Sequence, residues 1–362
     1  MARQFIGHQQ FKGRGALTNP SVRFEASFVE QTYDGWYQDD LAPNPHETVL
    51  PDRARSVITT NDSPDVGFDK SINPYRGCSH GCIYCFARPS HAYLGLSPGL
   101  DFETKLFYKA DAVALLEAEL AKPKYRCTPI ALGINTDGYQ PLEKKLGITR
   151  SILGVLTRCR HPVTIVTKSA LVLRDVDLLA DLARDRLVSV MISITSLSHD
   201  IKRTLEPRTA SPEARLRVLR ELTAAGIPAG VLLAPVIPAI TDHEMEDILA
   251  ASREAGATSA GYVLLRLPHE VKILFREWLS EHYPDRAKHV MSLVNQTQGG
   301  KDYDSAFGRR MRGTGPYADL LRTRFDLAKR KLGLDSASNR HELNTGLFTP
   351  PPANQSQLIL GF

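Results

Sequence analysis

Three cysteines stand within eight residues, Cys78, Cys82 and Cys85, in the stretch NPYRGCSHGCIYCFARP. The spacing, three residues and then two, supplies three thiolates from one short loop. Thiolates are soft ligands that select iron–sulfur centres, zinc or copper(I). A [4Fe–4S] cluster takes a ligand on each of four irons, so three thiolates leave one iron open. An open iron beside a bound cofactor is a reaction site, whereas a site closed by four ligands carries electrons or holds structure. Zinc is the competing occupant, with His80 or His91 completing a closed tetrahedron. The spacing favours the cluster. Zinc sites prefer paired C-x2-C knuckles, and no second pair follows, because Cys127 and Cys159 stand alone and read as structural thiols.

The elements that position this loop show as a rhythm starting near residue 70. Short, continuously apolar runs rich in β-branched residues alternate with amphipathic stretches: IALGIN (130–135), VTIVTK (163–168), LVSVMISIT (187–195), AGVLLAPVI (229–237) and AGYVLLRL (260–267). Such runs are the pattern of buried parallel strands. The stretches between them place apolar residues at helical spacing, as in Leu216, Leu219 and Leu222, and Gly226 and Gly256 close two of them at the C′ position. With a first strand leading into the cysteines, the pattern gives six strands. The expected fold is α/β, a partial (β/α)6 TIM-like parallel barrel with right-handed crossovers. Chemistry on such a fold lies at the C-terminal ends of the strands, which is where the cysteine loop falls.

The expected organisation is an N-terminal arm over 1–67 wrapping the core, a barrel over 68–290, and a basic, helical extension over 291–362. The arm is rich in Pro, Asp, Asn and Gly, with Phe28, Tyr33 and Trp36 as isolated aromatics. Hydrophobic residues make up 42% of the 362 and charged residues 23%, ordinary for a globular enzyme. No apolar run is long enough to span a membrane; AGVLLAPVIPAI is short and broken by proline. The N-terminus lacks the apolar core of a secretion signal, so the expected location is cytoplasmic, where clustered thiols serve as ligands rather than disulfides. The net charge of +5 permits an anionic partner without demanding one. The stretch Tyr303, Phe307, Arg309, Arg310, Arg312, Tyr317 either grips a phosphate backbone or is a loop and a solvated helix face.

C-x3-C-x-aromatic-C, here with Tyr84 before the last cysteine, resembles the signature of the radical S-adenosylmethionine (SAM) enzymes. The resemblance implies that Cys78, Cys82 and Cys85 bind a 4Fe-4S cluster and that SAM chelates the fourth iron. It implies reductive cleavage of SAM to a 5′-deoxyadenosyl radical, an electron donor such as a flavodoxin or ferredoxin, and a role for Tyr84 against the adenine. Over about residues 70–290 the chain is similar to the spore photoproduct lyase-like branch, through INTDGYQPLE (134–143), VTKS (166–169), SIT (193–195) and LEPRTASPEARL (205–216). Thr136 and Asp137 then face the amino-acid or ribose end of SAM, Lys168 pairs with its carboxylate, and Ser193 lies near the ribose. Each also has a plainer reading: Asp137-Gly138 as a turn, Lys168 solvating a strand end, Ser193 bonding to backbone. Glu206 and Arg208 either pair to order their loop or touch ligand. Where the lyases carry a hydrogen-donating cysteine this chain has Ile134, so the scaffold is shared without the quenching group. The expected function is a radical SAM enzyme acting on an unknown substrate. A nucleic-acid-directed radical enzyme and a non-enzymatic iron–sulfur or zinc protein are the alternatives.

Overall fold

The computed structural model describes residues 11–24, 46–334 and 343–352. Phe28, Tyr33, Trp36 and the tail beyond residue 352 lie outside them. In chain order the strands are β1 (Thr48–Pro51), β2 (Ile58–Thr60), β3 (Lys70–Ile72), β4 (Tyr75–Arg76), β5 (Lys105–Tyr108), β6 (Ile130–Leu132), β7 (Val163–Thr167), β8 (Val188–Ser193), β9 (Ala229–Val236) and β10 (Ser259–Leu264). The helices begin with α1 (Leu100–Thr104), α2 (Ala112–Leu120), α3 (Glu143–Leu146), α4 (Ile148–Arg158) and α5 (Val176–Arg184). They continue with α6 (His199–Leu205), α7 (Pro212–Ala224), α8 (Met245–Glu254), α9 (Val271–His282), α10 (Ala287–Thr297) and α11 (Pro316–Lys331).

The main sheet runs β10-β9-β8-β7-β6-β3-β2. From β3 to β10 every pairing is parallel and each strand lies beside the next in sequence. This is the six-strand β-α pattern expected from the sequence. β2 adds an antiparallel edge on β3. Among the described residues the sheet does not close strand to strand. A small second sheet, β1-β5-β4, stands beside the first crossover.

Alternation along the strands decides what each face does. Val163 and Ile165, Val188, Val190 and Ile192, and Val231 and Leu233 turn to the helices and are buried in the main core. Each such side chain contributes about 1.5–3 kcal/mol by leaving water. The other face carries Thr164, Ser189, Met191, Gly230 and Ser259, smaller on the whole, and forms the inner lining of the half-barrel. Ser211 caps α7 by accepting from the Ala214 amide, followed by Pro212 at the first turn, and Gly226 closes the helix with φ +74°.

A second core gathers Ala16, Ile83, Leu100, Leu205, Ile237, Leu265, Trp278 and Val290 above the strand ends. It is why the expected boundary at residue 290 falls inside α10, whose Val290, Met291 and Val294 are buried there. The arm also carries more structure than its composition indicated. β1 and β2 lie within it, and residues 14–18 pack on the cysteine loop.

The segment after α10 joins the two ends of the sheet. The Leu264 amide, at the end of β10, donates to the Met311 carbonyl at 2.9 Å. Three residues earlier, the Gly308 amide donates to Asp65, in the turn between β2 and β3, at 2.6 Å. Arg310 pairs with the same carboxylate at 2.5 Å. A loop therefore spans the side that no strand closes.

Candidate functional site

The cysteine loop leaves β4 and is set by two left-handed turns, at Gly77 (φ +75°) and Gly81 (φ +71°). Both sit in a conformation that a side chain would strain. Gln140, fully buried, accepts from the Ser79 amide at 3.0 Å and donates to the Gly77 carbonyl at 3.1 Å. Arg88, also fully buried, holds the other half of the loop. Its guanidinium donates to the carbonyls of Cys82 at 2.9 Å, Gly81 at 3.3 Å, Pro98 at 3.1 Å and Gly99 at 2.9 Å. It also pairs with buried Glu103 at 2.5 Å. Glu103 in turn accepts from the amides of Gly15 and Ala16 at 3.1 and 2.9 Å. Gly15 lies so close to the Gly81 carbonyl that a Cβ there would collide with it.

Cys78 and Cys82 are buried and Cys85 is half-buried, all three as free thiols. Burial pushes each of the three thiols up from its ordinary value. As bare thiols they stay neutral, and metal binding trades their protons for the ion. Among the described residues no group of three or more His, Cys, Asp or Glu converges to hold one metal ion. His91 Nε2 contacts the Lys105 carbonyl at 2.9 Å while its Nδ1 is buried without a partner among the described residues, and His80 lies 3.4 Å from Asp137. A cubane, whose corner irons each take a separate thiolate, does not ask the sulfurs to meet at one point. The Ser79 hydroxyl, within the loop, is buried without a partner, as expected beside a group that completes it.

The strand ends bring the remaining candidates to this loop. Lys168 follows β7, and its ammonium donates to the Ser193 hydroxyl at the end of β8 and to the Ala234 carbonyl in β9 at 3.0 Å. The same ammonium lies 3.4 Å from Glu206 and 5.7 Å above the Tyr84 ring. Glu206 is the hub. It accepts from the Tyr84 hydroxyl, from Thr195 at 2.7 Å and from the guanidinium of Arg215. Burial alone would raise its carboxyl. The charges of Arg215 and Lys168, with hydrogen bonds from Tyr84 and Arg215, outweigh that and hold it well below the usual carboxylate range. Arg215 is buried too, donating also to the Ser193 carbonyl at 2.9 Å and the Ala210 carbonyl at 3.0 Å.

Thr136 and Asp137 lie in the loop after β6, and their polar groups face the protein. Thr136 donates its hydroxyl to the Tyr75 carbonyl at 3.0 Å. Asp137 accepts from the Thr167 hydroxyl at 2.8 Å, the Tyr139 amide at 2.9 Å and the Lys168 amide at 2.9 Å. The turn role and the anchoring of Lys168 thus coincide in one residue. The Glu206–Arg208 pair raised by their closeness in sequence does not form: Glu206 takes Arg215, and Arg208 pairs with Glu47.

The basic, aromatic stretch is largely spent within the protein. Arg310 is held by Asp65, Arg309 lies 3.5 Å from Asp304, Arg312 covers the Tyr262 ring at 4.1 Å, and Tyr317 donates to Asp242 at 2.5 Å. Arg88, Glu103, Gln140, Thr195 and Arg215 are the site residues that sequence reasoning missed. Among the described residues no helix is long and apolar enough to cross a membrane.

The profile of the Radical SAM superfamily matches residues 72–251 of the chain. An uncharacterized protein of Mycobacterium tuberculosis is 38% identical over 231 residues, covering 63% of this chain and 68% of that protein. One from Methanocaldococcus jannaschii is 28% identical over 237 residues, covering 66% and 84%. Among solved structures, spore photoproduct lyase complexed with dinucleoside spore photoproduct is similar with a TM-score of 0.56 at 16% identity, over 78% of this chain and 79% of the lyase, a likeness of fold.

Proposed function

This chain belongs to the radical SAM superfamily, whose members bind a 4Fe-4S cluster and SAM, and on that footing we propose that Cys78, Cys82 and Cys85 hold the cluster and that the Lys168–Glu206 network receives SAM. When bound, the pair supplies one-electron cleavage of the SAM sulfonium and a 5′-deoxyadenosyl radical. The residues of the chain supply aim and seclusion. Lys168 offers a cation to the methionyl carboxylate, and Ser193, at the end of β8, orients that ammonium through its hydroxyl. Tyr84 presents a ring whose hydroxyl is tied to Glu206, so its face cannot swing. Asp137 and Thr136 act from behind: Asp137 fixes the Lys168 backbone, and Thr136 fixes the start of the cysteine loop through Tyr75. The second core keeps water from the loop.

One observation carries the reading. A single buried carboxylate, Glu206, binds the residue preceding Cys85 and the cation at the end of β7, so the cysteine loop and the strand ends are one unit. The test is anaerobic reconstitution followed by SAM and a strong reductant, with a flavodoxin or ferredoxin as the natural type of donor. The expected result is iron and sulfide in the protein and release of 5′-deoxyadenosine, lost in Cys82→Ala. Zinc without sulfide, or an intact cluster that releases no 5′-deoxyadenosine, overturns it.

A second reading makes the substrate a nucleic acid. The lyase of similar fold is seen with a dinucleoside photoproduct, and Phe307 is exposed next to Arg309 on the closing loop. The sequence resemblance that puts Ile134 where the lyases carry cysteine argues against lyase chemistry itself. Affinity for DNA or RNA that falls steeply with salt would support this reading, and no binding at low salt would end it.

A further inference from the structure

The rim of the half-barrel holds one guanidinium that the site just described does not use. Arg266 is the second residue after β10, and its guanidinium lies over the ring of Phe86 at 4.9 Å. Phe86 directly follows Cys85 and is 38% exposed, an uncommon setting for a phenylalanine beside a buried loop. The pair therefore joins the last strand end to the cysteine loop. Of the cations around it, Lys168 and Arg215 share Glu206, Arg88 has Glu103, Arg208 has Glu47 and Arg310 has Asp65, while Arg312 is spent on the Tyr262 ring. Among the described residues Arg266 forms no ion pair. Asp65 feels its charge, but the carboxylate oxygens there are taken by Gly308 and Arg310. Among the described residues the one side-chain polar contact of Arg266 is a long one, 3.4 Å from Nη2 to the Tyr303 hydroxyl. Its Nε is shielded from solvent and has no partner among them.

A half-buried guanidinium without an acid, carrying a shielded orphan donor, is an incomplete site. Stacked on an aromatic face, it keeps its edge free, and that edge is the fork that binds carboxylate or phosphate in two parallel hydrogen bonds. The exposed Phe86 ring beside it gives a flat surface for the body of the same molecule. Resting on the radical SAM reading of the adjacent loop, we propose that Arg266 and Phe86 form the substrate subsite, and that the substrate carries an oxoanion, carboxylate or phosphate, on a planar or apolar group.

The test uses reconstituted, SAM-loaded protein and three probes of one shape, phenyl phosphate, benzoate and neutral benzyl alcohol, titrated by ligand-observed NMR. At least one oxoanion binds and benzyl alcohol does not; which of the two binds tells phosphate from carboxylate. Arg266→Ala weakens that binding by on the order of tenfold or more. Arg266→Lys, which keeps the charge and guards against a loss from misfolding, recovers only part of it, because lysine has no fork. Phe86→Ala loses less than Arg266→Ala. Equal affinity in wild type and Arg266→Ala, full affinity in Arg266→Lys, binding of benzyl alcohol as tight as the anions, or no oxoanion bound overturns the proposal. Release of 5′-deoxyadenosine by the same wild-type preparation reports separately on the parent reading. If it proceeds while no oxoanion binds, only the subsite falls. If it is absent while Arg266-dependent binding persists, only the parent reading falls.

Discussion

Two fully buried arginine–glutamate pairs flank the cysteine loop, and they are spent in opposite ways. Arg88 gives its donors to backbone carbonyls and to Glu103, and Glu103 takes backbone amides from the N-terminal segment. That pair ties chain to chain. Arg215 and Glu206 are equally buried, yet Glu206 is surrounded by side chains, Tyr84, Thr195 and Lys168, that arrive from three other elements. That pair sets the charge and direction of the groups proposed to receive SAM. The chemistry of the two pairs is the same, and only the identity of their neighbours separates a structural tie from a site.

The sharpest break of this contrast comes on the structural side. Glu103→Gln leaves Arg88 buried without a counter-charge, a change that costs about 3–5 kcal/mol. Denaturant unfolding should show that loss, and iron retained per chain should fall with it. Unchanged stability would mean that the carbonyls alone satisfy Arg88. A smaller effect, from the far end of the sheet, calibrates both pairs against acid. His161 is buried between Tyr125 and Phe348, and burial lowers its pKa from 6.5 to about 4. The unfolded chain therefore takes up this proton first. Its contribution to stability is complete above pH 6.5 and is lost as pH falls toward 4, up to about 3 kcal/mol in all. Glu206, whose carboxyl is depressed below 4.5, contributes above that value and loses it only at still lower pH. Melting temperature against pH should thus begin to drop near 6.5, and His161→Phe should remove its share of that drop, with buried His91, whose pKa is also lowered to about 4, supplying another. The smallest change in stability belongs to Lys168→Ala. Glu206 keeps Arg215, Tyr84 and Thr195, so unfolding shifts less than in Glu103→Gln, iron content holds, and SAM affinity falls roughly tenfold. Loss of the cluster in that variant would move Lys168 to the structural side.

The strands were legible because they are continuous apolar runs, although the ladders stop earlier than the runs do. IALGIN reads as strand to residue 135, but pairing ends at Leu132 because Gly133 turns the chain with φ +77°. β1 was hidden for the opposite reason: all four of its residues are exposed, so it has no apolar face to show. The cysteines, Lys168 and Ser193 were legible from spacing and from the rule that strand ends carry chemistry. Arg88, Glu103 and Arg266 were not, since their partners are fixed by folding and not by nearness in the chain. Arg215 had left a trace. It sits in the first turn of α7, where a cation opposes the helix dipole, and such a residue needs a reason to be there.

The loop that reaches from β10 to Asp65 joins residues 245 apart in sequence. Contacts of that separation form late, because the chain between them must be ordered before the contact repays its closure. During synthesis, then, all six strands are made before the fastening segment at 308–311 is available to span the side of the sheet. The order of assembly, trough and then latch, follows from where one aspartate finds its partners.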